Sequence, residues 1–343
     1  MISVILRGAL LSFLFLLTAC QLQPDMSIKD DWQQYKSKFL ASDGRIIDTG
    51  NQNVSHSEGQ GYGMILAVKN NDKDSFNQIW QWTQMNLQVR KDKLFMWRRR
   101  AELPLSDEDP NNATDGDILI AWALLEASRL WSLPDYEKEA KDIMQDIKQK
   151  LVDSWDGLPI FLPGEYGFKT SDATVINLSY WVFPALLTFQ SFDNDPVWVS
   201  LTASGQKLLK RARFGRWQLP PDWLQLNSDK TMFPSKNQRF GYDAIRVPLY
   251  LMMAKIDNEA LDVFADYWSF YQSFTPAWIA LNENIMDSFG ASDGISSVKE
   301  MALWSSGRKN NFDKVTLDDD QDYYSSTLLL FSKLTYQQTK KTL

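Results

Sequence analysis

The chain is 343 residues long, with a formal net charge of −7, 44% hydrophobic residues and 23% charged residues. That is enough apolar material for a sizeable core, and too acidic a balance for a nucleic-acid partner, which requires a basic face. A single cysteine and a single histidine exclude a disulfide framework, leave almost nothing for a zinc site and point to no cofactor.

The first residues read as an address. Arg7 precedes an apolar run from Gly8 to Leu17, followed by Thr18, Ala19 and Cys20. This is the pattern of a secretory signal over residues 1–19, too short for a comfortable membrane span. Leu17-Thr18-Ala19-Cys20 resembles the lipobox of bacterial lipoproteins. The resemblance implies a lipid on Cys20, with the membrane reached by that anchor only. Gln21 beside it implies retention in the outer membrane of a Gram-negative cell, facing the periplasm. Residues 20–27 then serve as anchor and tether, and 28–343 as one domain.

In chain order, two kinds of helix alternate. Residues 28–40 are amphipathic through Trp32, Tyr35 and Phe39, and 57–68 are apolar and glycine-rich. Residues 73–88 are amphipathic through Phe76, Ile79 and Trp80, whereas 118–131 are apolar on nearly every face. The same alternation continues with 135–153 (one-sided), 177–190 (apolar, Pro184 marking a kink or late start), 194–211 (one-sided) and 243–254 (apolar). Residues 258–272 are mixed, and 294–304 and 322–334 close the series with apolar bodies. A helix apolar all round is packed all round, and one with a single apolar stripe shows its other face to water. The alternation predicts an all-α fold of two concentric rings, an (α/α)6 barrel of six inner and six outer helices, the sixth outer one within 276–288. A plain bundle or an α-solenoid is the competing architecture; the chain has no fixed repeat of solenoid length.

Polar residues interrupt this pattern at helix starts. Thr114 and Asp117 form a capping-box pattern that puts Asp115 on the first turn of a buried helix. Ser57 and Gln60 do the same for Glu58, ahead of Gly59, Gly61 and Gly63. Three glycines there cost about 1 kcal/mol each relative to alanine, so either a ligand or a neighbouring helix comes close to the backbone. Asp243 opens the fourth apolar segment, where Pro248 pushes it onto the entering loop. Each acid alone also fits a helix N-cap. Three of them at the starts of inner helices would instead line one cleft, and paired carboxylates across a cleft suit cleavage of a glycosidic bond.

Other patterns carry less. Gly290-Ala291-Ser292-Asp293-Gly294 matches a nucleophile elbow, but no histidine follows it, since His56 lies upstream; it reads as a loop. Asp318-Asp319-Asp320 reads as a solvated loop. Glu102, Asp107, Glu108 and Asp109 either face solvent or make a cleft attractive to a cationic sugar.

Taken together, three motifs resemble glycoside hydrolase family 8. They are Ala113-Thr114-Asp115-Gly116-Asp117 with Ile120-Ala121 and Trp131, Ser57-Glu58-Gly59-Gln60-Gly61-Tyr62-Gly63, and Tyr242-Asp243-Ala244 with Arg246. Pro221-Asp222-Trp223 and Tyr323-Tyr324 add to the likeness, which spans about residues 28–338. It implies the (α/α)6 fold and inverting hydrolysis of a β-1,4-glucan. Glu58 would be the general acid, Asp243 the general base, and Asp115 the residue that binds and distorts the sugar. It further implies that Arg246 orients Asp243, that Trp97 stacks on a glucose ring, and that Tyr180, Tyr323 and Tyr324 contact substrate. In size and motif order the chain is most similar to periplasmic members encoded with bacterial cellulose synthases, which makes a cellulose synthase complex the implied partner. Chitosan, xylan or mixed-linkage glucan are the alternative substrates. A glycan-binding lipoprotein without activity is the alternative outside enzymology.

Overall fold

The computed structural model describes residues 28–256, 258–271 and 274–340; the expected signal segment, Cys20 and the tether lie outside them. Eleven helices run in order among the described residues: α1 Ile28–Phe39, α2 Ser57–Lys69, α3 Lys73–Asn86, α4 Thr114–Trp131, α5 Pro134–Lys150, α6 Phe183–Phe192, α7 Val197–Arg211, α8 Arg246–Met253, α9 Asn258–Phe270, α10 Asp293–Ser305 and α11 Tyr323–Lys340. None is long and apolar enough to cross a membrane.

The two helix types separate as the apolar pattern dictates. α4 is buried without interruption from Thr114 to Ser128, and every residue of α2 is buried except Glu58 and Lys69. By contrast, α5 buries only Ala140, Ile143, Met144 and Ile147, one stripe at helical spacing. The buried helices form a circuit. α2 packs on α4, α4 on α6, α6 on α8, α8 on α10 and α11, and α10 on α11. Tyr62 of α2 then meets Phe331 of α11 with ring centroids 5.3 Å apart. α1, α3, α5, α7 and α9 cover this circuit from outside, each with its apolar stripe turned inward.

No sixth covering helix occurs at 276–288. That stretch contains Pro276, Asn282 and Asn284, with Asn284 in the left-handed region at φ 55°, which a helix interior does not accommodate. It runs instead as a loop holding a short strand. Between α10 and α11, where a sixth cover belongs in the order, stands only a single 3-10 turn, Phe312–Lys314.

The sequence pattern contained no sign of the small antiparallel ribbons in the connections. They are β1 Ser55–His56 with β2 Arg98–Arg99, β3 Val152–Trp155 with β4 Leu158–Phe161, β5 Ala173–Ile176 with β6 Leu224–Asn227 and β7 Met232–Pro234, and β8 Arg239–Phe240 with β9 Ile279–Ala280. At two to four residues they are too short to leave an alternating signature. β1, β5 and β8 each lead into a buried helix, so the ribbons brace the segments that enter α2, α6 and α8.

Both expected capping boxes are absent. His56 caps α2, its Nδ1 accepting the Gly59 N–H at 2.9 Å. Gln60 turns away to accept the Ile46 N–H at 2.7 Å and to donate to Thr83 Oγ1 at 2.9 Å. At α4 the N-cap is Ala113. Thr114 Oγ1 donates to the Leu162 carbonyl at 2.6 Å, and Asp117 accepts from the Phe95 N–H and Asn112 Nδ2. Buried polar groups from distant loops needed these partners more than the helix ends did. Pro184, in the first turn of α6, marks a late start rather than a kink.

The glycines of α2 serve helix packing. A β-carbon on Gly61 would stand 2.5 Å from Leu119 Cβ of α4, and one on Gly116 of α4 would stand 2.0 Å from Ser57 Oγ. The two helices therefore touch backbone to backbone at the end that carries Glu58 and Asp115. Gly61→Ala should destabilise the fold by about 1–3 kcal/mol through overpacking, read as a drop in chemical-denaturation midpoint at unchanged m-value.

Candidate active site

Five of the buried helices present their first turns, or the turns leading into them, to the same place. Glu58 is the second residue of α2 and Asp115 the second of α4. Ser179 sits on the 3-10 turn Leu178–Tyr180 that enters α6. Asp243 lies on the turn entering α8, as Pro248 suggested, and Arg246 is the first residue of that helix. Tyr324 is the second residue of α11.

Arg246 joins them. Its Nη1 bonds the Glu58 carboxylate and lies 3.4 Å from Asp115 Oδ2. Its Nη2 donates to Asp243 Oδ1 at 2.8 Å and to Ser179 Oγ at 2.7 Å. The arginine is 3% exposed, so one guanidinium carries nearly all the positive charge available to three carboxyl groups. The side chains of Glu58 and Asp243 are 17% and 30% exposed, against 4% for Asp115. Two acids thus open toward solvent on either side of the arginine, and the third forms the floor.

One cation cannot neutralise three anions crowded around it, one of them fully buried, so the site retains protons. Burial pushes the Asp115 carboxyl up to about 7, against the opposing pull of the Gly116 N–H and of His56. Burial, and then the charge of Asp222, push Asp243 up to about 7 as well, with Asp115 adding in the same direction. Asp117, two residues after Asp115 in α4, is raised to about 8 by burial despite its two donors.

The other expected contacts divide. Tyr180 is buried with its ring 6.0 Å from the Arg246 guanidinium and edge-on to Trp223 at 6.1 Å. The Tyr324 hydroxyl donates to the Tyr242 carbonyl at 2.5 Å and so braces the turn that bears Asp243. Trp97 is half-buried beside the start of α2, its carbonyl accepting the Ser57 N–H at 3.0 Å. Its indole donates to Asp109 at 3.0 Å, and Arg98 covers the ring at 4.4 Å. Tyr323 departs from expectation. It is 1% exposed, packs on Tyr35, Phe39 and His56, and belongs to the core, because at the first position of α11 its side chain turns away from the neighbouring Tyr324.

The acidic run before α4 is largely spent on structure: Glu108 is buried against Arg99 and Arg100. Ser292 caps α10 by accepting the Ile295 N–H, which accounts for the elbow-like pattern. Ser179 and Phe168 carry no periodic signal and emerge only from the contacts, whereas Asp222 and Trp223 stood in the Pro221-Asp222-Trp223 motif without an assigned role; Phe168 and Trp223 stack at 5.9 Å within 3° of parallel beside Asp243. A half-open pocket of about 220 Å³ lies elsewhere, lined by α2, α4, α6, α8 and α11, where Glu126 pairs with Lys69 and Arg129. The chemistry sits in the cleft at the opposite end.

Chemically, two half-exposed carboxyls flank a guanidinium over a buried third, with raised proton affinity at the floor and at Asp243. Such a site can hold one proton and accept another across a bond laid over it. Because Asp115, Asp117 and Asp243 bind protons more tightly folded than unfolded, stability should fall as pH rises from about 4 to about 8. Asp117→Asn should flatten the upper part of that slope in a thermal-unfolding series across pH.

Comparison with known proteins agrees with this geometry. The sequence profile "Glycosyl hydrolases family 8" matches residues 9–338. A relative named as a probable endoglucanase, from Novacetimonas hansenii, is 38% identical over 90% of both chains. An endoglucanase from Cellulomonas uda is 38% identical over 83% of this chain and 80% of its own. The solved structure of the endo-beta-1,4-glucanase CMCax from Acetobacter xylinum superposes with a TM-score of 0.86 at 35% identity, covering 92% of this chain and 99% of its own. With the family's profile spanning nearly the whole chain, and its motif acids meeting at one guanidinium, this protein belongs to glycosyl hydrolase family 8 and is a glycoside hydrolase.

Proposed function

We propose that the protein is an endo-acting β-1,4-glucanase built as an (α/α)6 barrel, and that it cleaves with inversion. The observation that carries this reading is the convergence of Glu58, Asp115 and Asp243 on Arg246 in one open cleft. Glu58 donates a proton to the glycosidic oxygen as its bond to the anomeric carbon breaks. Asp243 takes a proton from the water whose oxygen bonds that carbon from the other face. One water is consumed, and solvent returns both acids to their starting states. Inversion needs the two carboxyls about 6.5–9.5 Å apart, with room for that water. Asp115 holds the sugar at the cleavage point. Trp97, Tyr180 and Tyr324 supply ring surface along the cleft. The glucan substrate is supported by the names of the relatives.

Glu58→Gln and Asp243→Asn should each lower kcat by about 10²–10⁴-fold, and NMR of cello-oligosaccharide digests should show the α-anomer first. A β-anomer as first product would overturn inversion, and unimpaired hydrolysis by either variant would overturn its assigned role.

We further propose a periplasmic, outer-membrane-anchored lipoprotein that works with a cellulose synthase complex. α1 starts at the end of the helical body opposite the cleft. Asp31 pairs with Lys333 late in α11 at 2.6 Å, and Trp32 and Lys36 bind Asp72 just past α2, whereas Phe39 packs on Tyr323 at the start of α11. A lipid on Cys20 would hold that end to the membrane and leave the cleft facing away. Cys20→Ser should move the protein from the membrane to the soluble fraction with kcat/KM on soluble oligosaccharides unchanged.

A further inference from the structure

The turn 241–245, which carries Asp243, has no cap of its own: α8 begins after Ile245 with no side-chain cap. Its amides are gathered instead by Asp222, which lies just before β6 and is 3% exposed. Asp222 Oδ1 accepts the N–H groups of Gly241 at 2.9 Å, Asp243 at 3.2 Å and Ala244 at 2.9 Å. Its Oδ2 accepts from Arg239 Nε at 3.0 Å, and its own N–H donates to the Arg239 carbonyl at 2.7 Å. A β-carbon on Gly241 would stand 3.0 Å from Oδ2, so the glycine makes room for the carboxylate. Burial raises the proton affinity of Asp222, and three N–H donors on one oxygen with a guanidinium on the other oppose it, favouring the charged form next to an acid that must exchange protons.

We propose that Asp222 is the positioning residue for Asp243, fixing its carboxyl through the backbone of the turn and acting on it through its own negative charge. This rests on the reading of Asp243 as the base. The charged and titratable groups facing Asp243 are Arg246 of its own helix, Asp115 of α4, Glu58 of α2 through the shared guanidinium, Tyr180 before α6, Tyr324 of α11, and Lys236, Arg239 and Asp222 of the loops. Arg239 is spent on Asp222, with its guanidinium over Tyr242 at 5.2 Å and Trp278 at 5.8 Å. Asp222 is therefore the anion bound most directly to the turn. Its charge raises the proton affinity of Asp243, with burial the larger cause and Asp115 a smaller one.

Two substitutions separate charge from position. Asp222→Asn keeps an oxygen for the amides and removes the charge; the acid limb of the kcat/KM–pH profile should move to lower pH by about one unit, with KM within about twofold. Asp222→Glu keeps the charge and displaces it; kcat should fall by about 10²-fold while the acid limb stays near its original position. A merely structural residue would lower activity or stability in both variants without moving the limb. Carbon-13 titration of the Asp243 carboxyl gives a second readout, independent of turnover. A titration unmoved in Asp222→Asn, with full activity, overturns the proposal and leaves the base assignment standing. A shifted titration beside an unmoved rate profile upholds the action of Asp222 on Asp243 and overturns the base assignment instead. If Asp222→Asn does not fold, the wild-type acid limb expected in Asp222→Glu decides: a limb shifted by a unit or more overturns the proposal.

Discussion

One ion cluster organises this molecule. Arg246 is buried, and its two terminal nitrogens meet Glu58, Asp115, Asp243 and Ser179, contributed by four different entries into the helical body. A guanidinium presents its donors in a fixed planar fork, so it can bind groups in different directions at once, where an ammonium could not hold the same geometry. Crowding three carboxyls around a single buried cation is unfavourable in itself. It persists because packing places the helix starts there, and because protons retained by the acids relieve the excess negative charge. The resulting store of exchangeable protons is what acid–base chemistry requires.

The helical body makes that placement possible by keeping its polar demands at the ends. Along α2 and α4 the interior is apolar, and the close approach at Gly61 and Gly116 brings their first turns together. Helix N-termini favour anions, which offsets part of the cost of holding carboxylates there. The short ribbons then stiffen the entries: β1 pairs with β2 ahead of α2, and β8 with β9 ahead of α8. Asp222 completes the entry to α8, taking the part that a local capping residue plays elsewhere. The site is thus rigid through its loops as well as its helices, which suits a cleft that must hold water and two carboxyls in register.

The alternation of fully apolar and one-sided helices was legible because burial on every face leaves a composition that no solvent-facing helix tolerates. The acids at helix starts stood out for the same reason, as charges interrupting apolar runs. What failed were inferences from local polar pairs. Ser57 with Gln60, and Thr114 with Asp117, match a capping box in spacing, yet the side chains of Gln60, Thr114 and Asp117 are drawn to Ile46, Thr83, Leu162, Phe95 and Asn112. The expected helix at 276–288 failed for another reason: the count of two six-helix rings called for a sixth cover there, but turn-forming residues and pairing with β8 made it a loop. Tyr323 and Tyr324, alike in sequence, went to opposite fates because adjacent helix positions point about 100° apart.

By itself, then, the amino-acid order determined the helix types, their alternation and the three acids, since each depends on hydrophobic periodicity or on a charge conspicuous within a few residues. Only the tertiary structure decided that Arg246 serves all three acids, that Asp222 holds the turn of Asp243, and that Gly61 of α2 makes room for α4. Apart from the Arg246–Asp243 pair, three positions apart, those are contacts between residues 19 to 188 positions apart, and no local pattern encodes which distant donor a buried oxygen will find.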